Sequence, residues 1–172
     1  GLGAKVEMWM LGSRTFGAQL AAALGLPYAF ASHFAPDQLD HALEIYRRQF
    51  RPSPALERPH VMAAMNVLCA DSDEEAVLLA SSMDQSFVAL RTGTPGRLKP
   101  PVPSYRQTLS PSLLATLEHM RQASAIGSPE TVVREVGKFI ERTRADEIIV
   151  SGATFDPAAR RRSLELTAKA LR

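Results

Sequence analysis

The sequence predicts a parallel α/β fold. Three observations carry that prediction. Short β-prone apolar runs alternate with helical segments, the runs are apolar on both faces as covered strands are, and polar or Gly/Pro signals separate each run from the helix after it. With 172 residues, 45% apolar and 22% charged, the chain is long enough to bury a core as one domain spanning 1–172.

The elements follow in order. Val6 to Leu11 is apolar around Trp9 and closes at Gly12-Ser13, and Phe16 to Leu24 is an alanine-rich helix stopped by Gly25 and Pro27. Tyr28 to Ser32 is a second strand, and Pro36-Asp37 opens an amphipathic helix carrying Leu39, Leu43, Ile45 and Tyr46 to Phe50. Arg51 to Pro59 holds three prolines and is an extended connector. His60 to Ala70 is a long buried strand, and "DSDE" from Asp71 caps a helix to about Leu90. The prolines and glycines between Thr92 and Pro103 leave no regular structure, so that stretch is a long loop. Ser110-Pro111 starts a helix to about Ala123, and Ser128-Pro129 starts another. Asp146 to Val150 is the last strand, and Asp156-Pro157 opens a terminal helix to Leu171. The count is four parallel strands with right-handed crossovers and covering helices.

A net charge of +2 with balanced acids and bases gives no footprint for nucleic acid or for an anionic membrane surface, and the run Arg160 to Arg162 reads as a solvated helix face. No apolar stretch is long enough to span a bilayer, and no charged segment leads into a signal-type core. The single cysteine, Cys69, excludes an internal disulfide framework and fits a reducing compartment, so a cytoplasmic location is expected.

"MLGSRTFGAQLAAALG" has the composition of an anion-binding turn. A strand that passes through Gly-Ser into a helix leaves backbone N–H groups at the C-terminal end of the strand, where the helix dipole favours an anion. Gly12 allows close approach, Ser13 and Thr15 offer hydroxyls, and Arg14 offers a guanidinium. A plainer reading makes Ser13 an N-cap and Arg14 a solvated side chain, and on spacing alone it has the better claim because capped turns are common.

The stretches "WMLGSRTFGAQLAAALGLPYAFASHF", "RRQFRPS", "VLCADSDEEA" and "SAIGSPETVVREVGKFIERTRADEIIV" resemble, in order and spacing, the C-terminal part of the bacterial luciferase-like family of flavin-dependent monooxygenases. The resemblance runs from Val6 to the end of the chain. It implies the C-terminal half of a (β/α)8 TIM-type barrel, since a full barrel needs about 250 residues, and it makes the start at Gly1 look like a cut or processed end. It implies a flavoprotein oxidoreductase that uses reduced FMN, or a deazaflavin, with molecular oxygen to oxidise a small organic substrate. It places Gly12, Ser13, Arg14 and Thr15 at the cofactor phosphate. It also covers non-catalytic flavin-binding or interaction proteins of the same fold and deazaflavin-dependent oxidoreductases, and these stand as alternatives. A half-barrel exposes strand edges and an interior face, so a homo-oligomer or pairing with the missing half is expected, with this portion inactive alone.

His33 follows the second strand at the end where barrel loops build an active site, and is the candidate catalytic residue; a capping or structural histidine is the rival reading. Ser151, Gly152 and Thr154 follow the last strand and are candidates for ligand contact. Cys69 reads as packing and "DSDEE" as a helix cap. "GSPET" reads as a structural helix start away from the mouth. His60 and His119 lack companions at ligand spacing, so no metal site is expected.

Overall fold

Small side chains on a helix let it lie close to a strand, and they set the first part of the fold. A computed structural model describes residue 3 and residues 6–172, so the expectation attached to Gly1 lies outside the described residues. The chain forms two compact units, residues 1–64 with 143–149, and residues 65–142 with 150–172.

In the first unit, β1 (Met10–Gly12) leads into α1 (Thr15–Leu24), which buries Ala18, Ala21 and Ala22. Gly25 ends α1 in the left-handed conformation, φ 61°, which glycine adopts without a Cβ penalty. β2 (Tyr28–Phe30) pairs parallel with β1, from Met10 opposite Tyr28 to Gly12 opposite Phe30. α2 (Leu39–Gln49) buries Leu39, Ala42, Leu43, Ile45 and Tyr46, the apolar face that its spacing predicts. Tyr46 ties α2 to the connector: its hydroxyl donates to Leu26 O at 2.8 Å and accepts from the His60 N–H at 3.2 Å. The connector is anchored by the Arg51 N–H on Ala22 O at 2.9 Å and by Ser53 Oγ on Gly25 O at 2.9 Å.

β3 (Val61–Cys69) is the long buried strand, and its residues divide between the units. Val61 to Ala63 lie parallel to β2, and Asn66 to Cys69 lie parallel to β4 (Ser124–Gly127). β5 (Glu147–Ser151) also pairs with β3.

In the second unit, α3 (Asp73–Arg91) starts on Ser72, whose Oγ accepts the Glu75 N–H at 3.2 Å as "DSDE" predicts. Leu68, Ala70, Ala76 and Ala80 form a core cluster against Leu79 and Ile126. α4 (Pro111–Met120), α5 (Pro129–Thr143) and α6 (Pro157–Ala170) complete it.

The parallel α/β class with covering helices is as expected, with two differences in detail. β1 covers only Met10 to Gly12 and not Val6 to Leu11, because three residues of β2 are all it has to pair with. A fifth strand, β4, stands where the sequence reads one helix running into the next. Four residues are too few to display a period, and it is pairing with the second half of β3 that makes them a strand. Among the described residues, no helix is long and apolar enough to cross a membrane.

Candidate functional site

The end of β1 turns into α1 through Ser13 and Arg14. Arg14 is the N-cap residue, extended at φ −145°, ψ 168°, and no side chain caps the helix. The first turn of α1 carries no acidic residue. Both points go against the plainer reading of Ser13 as an N-cap. The first N–H groups of an α-helix have no partner within it, so this start presents donors and the positive end of the helix dipole. The Ser13 and Thr15 side chains are half-buried and Arg14 is exposed.

Packing holds the turn. A Cβ on Gly12 would stand 3.2 Å from the Tyr28 hydroxyl and 3.5 Å from Gly17 Cα, so the turn and the first turn of α1 come within backbone contact. Tyr28, fully buried on β2, donates its hydroxyl to Arg14 O at 3.3 Å. Gly17 and Tyr28 are positioning residues that the sequence gives no direct sign of, though the Gly-x-x-x-x-Gly spacing marks the close approach. The Ala31 N–H donates to Gly12 O at 2.9 Å, which sets the end of β2 beside the turn.

That neighbour strand carries His33 two residues beyond Ala31. His33 is half-buried, and burial holds its imidazole below the usual histidine range, so the ring is neutral near pH 7. The Ala31–Gly12 bond thus sets the strand end that precedes His33 beside the turn that carries Gly12 to Thr15. Phe34, next to His33, is 61% exposed, and Phe16 in the first turn of α1 is 71% exposed.

Side-chain oxygens fill the starts of α3, α4, α5 and α6, whereas α2 follows a 3-10 turn, has no side-chain cap and carries Asp40 in its first turn. Ser110 Oγ accepts the Leu113 N–H of α4, and an Asp156 carboxylate oxygen accepts the Ala158 N–H of α6. "GSPET" is corrected in its reason: it follows β4, so it does lie at the C-terminal end of a parallel strand. What removes it as an anion site is Asp73, whose Oδ1 accepts the Ser128 N–H at 2.6 Å and whose Oδ2 accepts from Thr131 Oγ1 at 3.2 Å. The backbone N–H of Ser128, more than any other contact, holds the Asp73 carboxyl below the usual carboxylate range.

Cys69 is buried, its N–H donates to Ser163 Oγ at 2.9 Å, and burial followed by the charge of Asp71 pushes its thiol up, away from thiolate chemistry. Thr154 is buried and donates to Asp156 O at 3.0 Å, a bond that shapes the start of α6. His60 lies 2.7 Å from Glu147 Oε1 and edge-on to Trp9. Among the described residues, no group of three or more histidine, cysteine or acidic side chains could hold a metal ion.

Comparison with known proteins adds the family. The family model described as luciferase-like monooxygenase matches residues 4–147. A luciferase-like monooxygenase of Escherichia coli strain K12 is 46% identical over 166 residues, covering 96% of this chain and 50% of the relative. The chain spans about half the length of the curated relatives it matches. The crystal structure of apo-MsnO8 superposes with a TM-score of 0.81 at 26% identity, covering 99% of this chain and 52% of that one. Two more distant structures share the fold: the oxygenating constituent of 3,6-diketocamphane monooxygenase from Pseudomonas putida in complex with FMN, at TM-score 0.60 and 20% identity over 94% of this chain and 46% of its own, and the coenzyme F420 dependent tetrahydromethanopterin reductase of Methanopyrus kandleri, at TM-score 0.60 and 12% identity over 96% and 50%. Sequence and fold therefore agree that this chain belongs to the luciferase-like monooxygenase family.

Proposed function

We propose that this chain is the cofactor-holding part, the second half of the barrel, of a flavin-dependent monooxygenase that oxidises a small organic substrate. The observation that carries the reading is the start of α1: it has neither cap nor acid, whereas side-chain oxygens fill the starts of α3, α4, α5 and α6. A phosphate fits that donor set. The first N–H groups of α1, the hydroxyls of Ser13 and Thr15 and the guanidinium of Arg14 would hold it, and Gly12 lets the turn pack against Tyr28 and Gly17 behind them. Reduced FMN, when bound, supplies the electrons that activate oxygen.

The chain's own residues would orient the cofactor and handle a proton. Tyr28 fixes the carbonyl of Arg14, so the turn is set before a ligand arrives. His33, neutral near pH 7, would take up a proton at its imidazole and return it. The remaining wall of the pocket would come from the other half of the barrel, supplied by the same polypeptide or by association.

The FMN complex of the diketocamphane enzyme supports FMN, and the F420-dependent reductase keeps a deazaflavin as the rival cofactor. Oxygen uptake by the complete protein separates them. With reduced FMN and a substrate panel, substrate-dependent oxygen consumption is expected, and His33→Gln lowers turnover and changes its pH profile. Turnover with reduced F420 in the absence of oxygen would contradict the monooxygenase reading. Retention of cofactor without turnover would favour a non-catalytic binding protein.

A further inference from the structure

The proline-rich stretch after α3 reads as an open loop, yet in the structure it is tied down and roofs a cavity. Ser81 Oγ accepts the Val102 N–H at 2.7 Å, and Gln85 Nε2 donates to Pro100 O at 2.8 Å. Ser104 adopts φ 53°, a left-handed conformation that turns the chain into the 3-10 turn Tyr105–Thr108. Between this segment and α3 lies a cavity of about 460 Å3 within the second unit. That volume lies in the range of small-molecule sites, about 300–1,000 Å3.

The lining has an apolar body and a charged end. Val77 and Leu78 on α3 face Val102, Pro103 and Tyr105 across the cavity. Val77 is 49% exposed and Leu78 37%, unusual for adjacent large apolar residues on a packed helix. At the charged end, Asp84 is 1% exposed and lies 2.8 Å from Arg121 Nε, while Arg106 lines the same wall. One Arg106 Nη2 donates to Glu118 Oε1 at 2.9 Å, but Glu118 is 60% exposed, and the Arg106 Nε is buried with no hydrogen-bond partner.

One unpartnered donor decides the ligand. Arg121 pairs with the buried Asp84 and Arg106 with the exposed Glu118, so the ion pairs balance, and what is left over in a residue of the cavity lining is the Arg106 Nε–H donor, which has no acceptor. An unsatisfied buried donor is costly, and an anionic acceptor relieves it better than a neutral one. Glu74 also lines the cavity and is exposed.

We propose that this cavity is a second ligand site, separate from the Gly12–Thr15 turn, and that it takes a small apolar carboxylate. The carboxylate accepts from Arg106 Nε, and the hydrocarbon body lies against Val77, Leu78, Val102 and Tyr105. The inference does not depend on the flavin reading, since it rests on other residues in the other unit.

Calorimetric titration of the complete protein with octanoate and with octan-1-ol tests it. Octanoate is expected to bind at least about tenfold tighter than the alcohol, the factor a charge-assisted hydrogen bond supplies. Arg106→Met removes that preference and leaves the alcohol unchanged, and Leu78→Trp fills the cavity and weakens both. Thermal melting of each variant checks that it folds. Absence of octanoate binding, equal affinity for acid and alcohol, or binding that neither folded variant changes would overturn the proposal.

Discussion

The hydroxyl of Tyr28 donates to the carbonyl oxygen of Arg14 at 3.3 Å, and it also stands 3.2 Å from where a Cβ on Gly12 would lie. One buried phenol therefore sets both ends of the turn that joins β1 to α1. Burial raises its pKa far above the usual tyrosine range, so the hydroxyl stays a donor at any working pH. Tyr28→Phe removes the bond and keeps the ring. It should cost about 1 kcal/mol of stability by chemical denaturation and weaken flavin binding several-fold. A loss of stability with unchanged flavin affinity would separate the turn from the cofactor.

Asp73 supplies the pH dependence. Its carboxyl, held down by the Ser128 N–H, titrates lower folded than unfolded, so the unfolded chain takes up the proton first as pH falls. The stabilisation is complete above about pH 4 and is lost as pH drops through the folded value. Melting temperatures from pH 6 down to pH 2.5 should fall more steeply for the natural protein than for Asp73→Asn. The variant should start from a lower melting point, and parallel curves would count against this role.

The Asp84–Arg121 pair makes a sharper prediction. Arg121 is 12% exposed and Asp84 1%, so removing one partner strands a charge. Burial pushes the Asp84 carboxyl up and Arg121 draws it back down. Arg121→Met should cost about 3–5 kcal/mol, and the double variant Arg121→Met with Asp84→Leu should recover most of that loss. Urea denaturation of the two single variants and the double variant measures the coupling. Additive losses would show that the pair is not a unit.

Where the chain punctuates itself, the sequence could be read: Gly25 and Pro27 close α1, Ser72 opens α3, and Asp156-Pro157 opens α6. β4 was hidden because "SAIG" becomes a strand only by pairing with β3, a partner 55 or more residues away along the chain. Without β4 in view the "GSPET" helix start has no strand end to belong to, which is why its place in the fold is not legible from the sequence. The candidate turn Gly12 to Thr15 is legible as a composition. The missing cap on α1 was not, because Ser13 is a good N-cap by type and only the backbone reveals that Arg14 holds the position. Tyr28 and Gly17 are legible only as core until the turn is seen between them.

Paired titration with FMN and riboflavin, which differ by the phosphate, tests the central claim most directly. The complete protein should bind FMN at least about tenfold tighter than riboflavin, and Ser13→Ala with Arg14→Ala should bring FMN down to the riboflavin level, the factor that loss of charge-assisted hydrogen bonds predicts. Equal affinity for the two flavins, or an FMN preference that survives both substitutions, would contradict the phosphate cradle.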